Sequence, residues 1–489
     1  MKKIVWLIFL TGCAVGPHYK PPENDIAHEW ASQTLSVEAP ITDWWNLFED
    51  SLLTKYIQLA AEHNNDVLTA ESNILQARAV RQMAASSFWP QIGADVNATK
   101  TYFSKNGPVF SMGPASAGGT GGLPGTVSAG TGLPFGVQAP QMQPLYNALF
   151  DASWEIDLFG KTRRTVEAAD AIMGRTIEQR NDTLLSVMAE IARNYMELRA
   201  FQKRATLIEE NIALLEKKST LVQGQFAVGL VSRLDEENIQ ATLANQRALL
   251  PDLEAQIYRS IYTLSILTGA VPETLVEELL PRQPLPQHPS NVAVGLKSDL
   301  LRRRPDVRRA ERDLAAATAS VGIAVASFFP TITLIGDGGL QSLMIKNLFS
   351  LGSKTWALGG DINLPIFQGG RLMGNLKARR AESAAAAHIY QQTVLSALQE
   401  AESAITTYTQ SLQTIRERQT AVERHHNLVF LGRSRFQSGL VNLLDFLDSQ
   451  RESNEAEQNL LSSDLATLLD LIALYKALGG GREAYLPKD

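Results

Sequence analysis

The sequence is most informative first in what it lacks. It has one cysteine, Cys13, in 489 residues. A lone thiol makes no internal disulfide and no multi-cysteine metal site. Beyond the N-terminus no run of 18 or more apolar residues occurs, so no transmembrane helix is expected. Mean hydropathy of −0.09 fits a helical membrane protein equally poorly. That leaves a water-soluble chain or a β-barrel, whose strands are only half apolar. Positive charge is not in excess: the net charge is −6 and the pI about 5.8, which argues against a nucleic-acid partner. The seven histidines are scattered, and His425 and His426, being adjacent on an expected helix, do not share a face. HExxH, GxSxG, Walker and Rossmann patterns are missing. We therefore expect no catalysis, no cofactor and no metal.

What is present begins at the N-terminus. Lys2 and Lys3 precede a short apolar run, Ile4 to Leu10, and Leu10-Thr11-Gly12-Cys13 has the small residues that precede an acylated cysteine. The run is too short to span a bilayer and reads as a processing segment over 1–12. The expectation is cleavage before Cys13 and acylation there. At about 0.8 kcal/mol per buried CH₂, two or more acyl chains anchor a protein firmly.

The chain is one unit written twice. Asn65-Asp66-Val67, Glu71 and Phe88-Trp89-Pro90 recur 240 positions later as Pro305-Asp306-Val307, Glu311 and Phe328-Phe329-Pro330. Phe226, Gly229-Leu230-Val231, Asp235 and Gly269 recur 210 positions later as Phe436, Gly439-Leu440-Val441, Asp445 and Gly479. The 30-residue drop marks an insertion in the first copy, the Gly-, Pro- and Ser-rich stretch 104–144, which reads as a long loop. The resulting layout is a segment 13–50, a first repeat 51–278, a linker 279–297, a second repeat 298–478 and a tail 479–489.

Each repeat contains two short strands and a long helical hairpin. Strands are expected at about 91–103, 147–158, 331–340 and 354–364. In 147–158 the residues Ala148, Phe150, Ala152, Trp154, Ile156 and Leu158 share one face against Asn147, Asp151, Ser153, Glu155 and Asp157. Strands of about 9–11 residues, apolar on one face and polar on the other, are what a transmembrane barrel needs; two hairpins on a soluble core are the alternative. Four strands cannot close a barrel, because the smallest use about eight and an open edge in lipid is not tolerated. If they span, several chains share one barrel.

The hairpins are expected at 162–268 and 371–478, each with a proline-free first arm. Leu184, Met188, Ile191, Tyr195 and Leu198, then Phe201, Ala205, Ile208, Ile212 and Leu215, alternate by four and three with one shortened step, a coiled-coil stripe. Pro251 should kink the return arm of the first hairpin. The turns fall at Gly229 and Gly439, where glycine supplies positive φ. The arginines 302–304 are expected to pair with nearby carboxylates rather than to form an anion site.

The lipid-attachment pattern with Val15-Gly16-Pro17-His18-Tyr19-Lys20-Pro21-Pro22, the segment Asp299 to Glu311 and the tips Gly229-Leu230 and Gly439-Leu440 together resemble the outer membrane factor, or TolC-like, family. The resemblance is to its lipoprotein branch, which works with resistance-nodulation-division efflux pumps. It covers essentially the whole mature chain. It implies a mainly α protein with a small β part: a homotrimer forming a twelve-stranded β-barrel in the outer membrane, continued by a helical tunnel in the periplasm. It also implies a periplasmic adaptor protein and an inner-membrane pump as partners, and lipid as the partner of Cys13. In the family pattern Asp445 and Asp448 face the tunnel near its mouth, with Asp235 as the first-repeat counterpart of Asp445. Such a ring of carboxylates would favour cations. The residues themselves also allow a simpler role, charge at a helix N-terminus. Gly229, Leu230, Gly439 and Leu440 match the tips that meet the adaptor, and are turn residues in any case. Val441 departs from the family, where an arginine there ties neighbouring helices; Arg233 is the basic residue nearest to Asp235 that could substitute. The rival functions are an exit duct for secreted protein and a periplasmic coiled-coil spacer without a pore.

Overall fold

The computed structural model describes residues 14–22, 30, 42–102, 104, 142–289, 292–441 and 443–481. The signal segment, Cys13 and most of the insertion 104–144 lie outside the described residues.

The elements repeat in kind, and the three longer helices of each copy also in length. In the first copy α2 (Asn65–Ser86) leads to β1 (Gln91–Tyr102), β2 (Met142–Ile156), α3 (Lys161–Ala227) and α4 (Arg233–Leu267), after a shorter α1 (Ser51–His63). The second copy opens with a short α5 (Lys297–Arg303) and continues with α6 (Pro305–Ala326), β3 (Thr331–Ser342), β4 (Lys354–Asn363), α7 (Arg371–Gln437) and α8 (Leu443–Ala477). The equivalent helices α2 and α6 each have 22 residues, α3 and α7 have 67, and α4 and α8 have 35. A 67-residue helix has a contour of roughly 100 Å.

The chain divides into two compact units: residues 1–17, 82–166 and 320–377 form one, and 18–81, 167–319 and 378–489 the other. The described residues of the first unit form one antiparallel sheet in the order β1-β2-β3-β4. Ile92 pairs with Ala152, which pairs with Gly336, which pairs with Leu358. Counting by twos from that row, one face carries Val96, Phe150, Trp154, Ile332, Leu334, Trp356 and Ile362. The other carries Asp95, Asn97, Asn147, Asp151, Asp337 and Asp361, with Leu145, Leu149 and Ile335 as apolar exceptions. Among the described residues β1 and β4 are each paired on one side only, so this sheet has two open edges.

The strands depart from expectation at their ends. β2 starts at Met142 rather than 147, because Met142, Pro144 and Tyr146 continue the alternation and pair with Tyr102, Lys100 and Ala98. It stops at Ile156 because the Asp157 carboxylate turns to accept hydrogen bonds from the backbone N–H groups of Thr162 and Arg163, at 3.2 and 3.0 Å, which opens α3. β3 extends to Ser342 and β4 ends at Asn363. α4 runs through Pro251 without interruption.

The second unit packs its helices on one apolar core. The coiled-coil stripe of α3 is buried at Leu184, Met188, Ile191, Tyr195, Leu198, Ala205 and Ile208, all at most 1% exposed. Its partners include Ile257, Ile261 and Leu264 from α4, Ile405 and Tyr408 from α7, and Leu468, Ile472 and Tyr475 from α8. Trp44, from a 3-10 turn before α1, stacks on Tyr475 with ring centroids 5.7 Å apart. Arg304 is buried where α6 begins. Its guanidinium donates to both oxygens of Asp306, at 3.0 and 2.7 Å, to Glu400 at 2.6 Å, and to the carbonyl of Ala477 at 2.9 Å. The expected carboxylate pairing is thus met at Arg304. The same residue also ties α6 to α7 and to the end of α8. Among the described residues no helix is long and apolar enough to cross a membrane.

Candidate functional site: the hairpin ends and the first turns of the last helix

Both helical hairpins turn in the same way. Gly229 and Gly439 adopt φ of 76° and 71°. Gly229 N–H donates to the Phe226 carbonyl and Leu230 N–H to that of Gln225; Gly439 and Leu440 repeat this with Phe436 and Arg435, all at 2.9 to 3.0 Å. The i−5 bond with a left-handed glycine closes the exposed helix carbonyls, so the break is written into the backbone. It leaves Leu230 and Leu440 74% and 69% exposed, joined on the first tip by Val228 and Leu234. Each tip thus presents exposed aliphatic side chains on a hydrogen-bonded turn.

The three candidate aspartates occupy different settings. Asp235 is partly exposed and engaged with Ser232: its carboxylate accepts from the Ser232 N–H at 3.0 Å and hydroxyl at 2.7 Å, while the Ser232 hydroxyl accepts from the Asp235 N–H at 3.3 Å. This is a capping box on α4. The Ser232 hydrogen bonds hold the Asp235 carboxyl below its ordinary pKa. Asp445 stands exposed in the first turn of α8. Asp448, one turn on, has its carboxylate 3.8 Å from Arg451 with both side chains largely in solvent, a pair of small energetic weight. Arg233 pairs with Glu237 at 3.6 Å.

Sequence reasoning missed what lies beneath α8. Phe446 turns inward between Asp445 and Asp448 and stacks on Phe436 at 5.7 Å. Lys218 of α3 places its ammonium 4.6 Å from the centre of the Phe446 ring. Beside them a groove of about 600 Å³ runs between α3, α4 and α8, lined among others by Asn211, Lys218, Gln246, Asp448, Arg451 and Asn454. Of the three aspartates, only Asp448 is among its described lining residues. Asn454 donates to Asn211 across it at 2.6 Å. Lys218 Nζ and Gln246 Oε1 are buried without a hydrogen-bond partner among the described residues. Burial, unopposed by any carboxylate, pushes the Lys218 amine down to about 8. The first turns of α8 thus rest on a polar, loosely filled seam, whereas its last turns lie in the apolar core. A charged residue three positions after the stripe residue Leu215 was the available sequence signal. Its aromatic partner is 228 residues away and could not be read locally.

Described residues offer no cluster of three or more metal-ligating side chains. What the geometry defines is a class of duplicated protein in which each copy adds one strand pair to an open amphipathic sheet and one long hairpin to a helical unit. The chain belongs to the outer membrane efflux protein family, whose pattern matches residues 56–270 and 296–480. It is 29% identical over 98% of its length to the toluene efflux pump outer membrane protein TtgC of Pseudomonas putida, covering 94% of that protein. It is 27% identical to the outer membrane protein OprJ of Pseudomonas aeruginosa, covering 97% of this chain and 95% of that one. The solved structure of the outer-membrane channel OprN superposes with a TM-score of 0.84 at 28% identity, covering 96% of this chain and all of that one.

Proposed function

We propose that this outer membrane efflux protein is the passive exit duct of a three-part efflux machine, built from three identical chains. Three four-stranded sheets joined edge to edge supply the twelve strands of one closed barrel, and the helical hairpins continue it as a tunnel through the periplasm. The observation that carries this is the sheet itself: its apolar face is exposed, with Trp356 79% and Leu358 80% accessible, and both edges are open. Neither condition is stable in water or lipid unless the apolar face meets hydrocarbon and identical neighbours satisfy the edges.

Acylated Cys13 would fix the chain in the outer membrane. The tips at Gly229, Leu230, Gly439 and Leu440 would dock an adaptor that bridges to an inner-membrane resistance-nodulation-division pump. Asp445 and Asp448 of three chains would form the cation-favouring constriction, with Asp235 chiefly a helix cap. Cargo such as the toluene or antibiotics named for its relatives would be chosen by the pump, and the duct would carry out no catalytic step. The test is the mass of the particle extracted in detergent, with single-channel conductance on the same sample. A particle of three chains that conducts is expected; a water-soluble monomer without conductance refutes the reading.

A further inference from the structure

The connection between β3 and β4, residues 343–353, carries an apolar surface that neither the sheet nor the hairpin tips explain. Leu343, Met344, Ile345, Phe349 and Leu351 are all exposed there, the last two by 83% and 80%. Leu348 and Ser353 are buried. The segment is nevertheless tightly built, from two single-turn 3-10 helices, Ile345–Asn347 and Leu351–Ser353. The Ser342 hydroxyl accepts from Met344 N–H at 3.1 Å and donates to its carbonyl at 2.9 Å. Ser350 N–H and the Ser353 hydroxyl both donate to the Asn347 carbonyl, at 2.9 and 2.6 Å. Backbone groups bonded in this way need little from water, so the segment can enter an apolar medium at small cost. Its apolar side chains gain by leaving water.

Charge and topology identify that medium. Residues 343–354 contain Lys346 and Lys354 and no acidic residue, in a chain of net charge −6. Thr331 pairs with Asn363 at the end of the sheet where α6 and α7 attach, so the connection lies at the opposite end. Leu340 and Trp356, on either side of it, belong to the apolar face. We propose that the β3–β4 connection is a membrane-interface anchor: Ile345, Phe349 and Leu351 bed into the outer leaflet, and Lys346 and Lys354 meet the phosphates of its lipids. Long lysine stems reach a charged headgroup layer while their carbons stay in apolar surroundings. This rests on the reading of the sheet as membrane-spanning.

The test places a bimane fluorophore at Gly352→Cys in the full chain carrying Cys13→Ser, reconstituted in vesicles of phosphatidylglycerol brominated on the upper acyl carbons. A Cβ at Gly352 meets nothing closer than the Ser350 hydroxyl at 3.9 Å, so the label leaves the anchoring side chains in place. Labels at Leu358→Cys and Ser438→Cys are the lipid-facing and aqueous references. The Gly352 label should be quenched at least about half as strongly as the Leu358 label, in line with a seat near the headgroups. Phe349→Ser with Leu351→Ser should abolish that quenching. Lys346→Glu with Lys354→Glu should reduce it about twofold or more in phosphatidylglycerol and much less in phosphatidylcholine. Quenching at Leu358 but not at Gly352 overturns the anchor alone. So does efficient disulfide formation between Gly352→Cys chains without quenching, which assigns the surface to contact between copies. Absence of quenching at Leu358 as well brings down the membrane-spanning reading and the anchor with it.

Discussion

The ammonium of Lys218 lies 4.6 Å from the centre of the Phe446 ring, and among the described residues no acceptor offers it a hydrogen bond. A ring face returns part of the solvation the amine loses, about 0.5–2 kcal/mol, while burial lowers the amine's pKa to about 8.

A pH dependence follows. With a folded-state pKa near 8 and an ordinary value of 10.5, the unfolded chain holds more protons than the folded one between those limits. Stability should therefore rise with pH across about 8 to 10.5, as the cost of burying the charge disappears. Lys218→Met should flatten that rise and increase the melting temperature at pH 7, read by thermal circular dichroism at pH 7 and 10. An unchanged pH slope would mean that Lys218 is solvated in the assembled protein.

The aspartates of the two hairpins should separate by experiment. Asp445→Ala with Asp448→Ala should lower cation preference and block by trivalent cations in planar bilayers. Asp235→Ala should act differently, by removing the capping box of α4, with faster amide exchange at residues 234–237 and little change in selectivity. Because Asp235 is held below its ordinary pKa, the capping contribution is present above the normal aspartate range and is lost as pH falls through it. Equal loss of selectivity in both variants would place Asp235 in the constriction.

Arg304 is the buried knot of the second unit. Burial alone would push the Asp306 carboxyl up, but the Arg304 guanidinium outweighs it and holds that carboxyl down. Arg304→Ala leaves Asp306, Glu400 and the Ala477 carbonyl without their donor, and should cost about 3–5 kcal/mol. Arg304→Lys should recover only part, since an ammonium cannot span three acceptors on different helices. The Asp306 contribution is present at neutral pH and is lost on acidification, so the difference between wild type and Arg304→Ala should narrow toward pH 3 in denaturant titrations.

The large-scale pattern was legible because it is periodic and local. The apolar stripe from Leu184 to Leu215 and the glycine turns at 229 and 439 need only neighbouring residues to be read. The start of β2 was obscured because the glycine- and proline-rich run passes into it without a break. Pro144 suits that position because the pairing of β2 with β3 begins only at Tyr146, so its missing N–H costs no hydrogen bond on that side. The end of β2 was obscured for another reason: Asp157 continues the alternation but is used as a helix cap. Lys218 with Phe446, and Arg304 with Glu400 and Ala477, join residues far apart in sequence, and only the fold brings them together.

Acylation at Cys13 is open to direct measurement. Cys13→Ser should abolish the lipid adducts on the mature N-terminus in mass spectrometry and lower the share of protein in the outer-membrane fraction. In the proposed trimer, chain assembly should survive, because the open strand edges rather than the acyl chains would drive it. Loss of assembly in this variant would make lipidation a step in barrel formation.

Adjacent positions on β4 provide the sharpest test of which face meets lipid. Leu358 lies on the apolar face opposite Gly336, and Ala357 on the polar face opposite Asp337. An arginine at Leu358 would be pressed into hydrocarbon, at about 2–4 kcal/mol per chain near the bilayer midplane, and multiplied by the number of chains in one barrel. The same arginine at Ala357 would face the lumen beside a carboxylate. Leu358→Arg should therefore sharply reduce heat-resistant oligomer on gels and the yield in the outer membrane. Ala357→Arg should assemble normally and shift conductance toward anions. The opposite outcome would reverse the faces of the sheet, and equal tolerance of both would mean that it does not lie in a membrane.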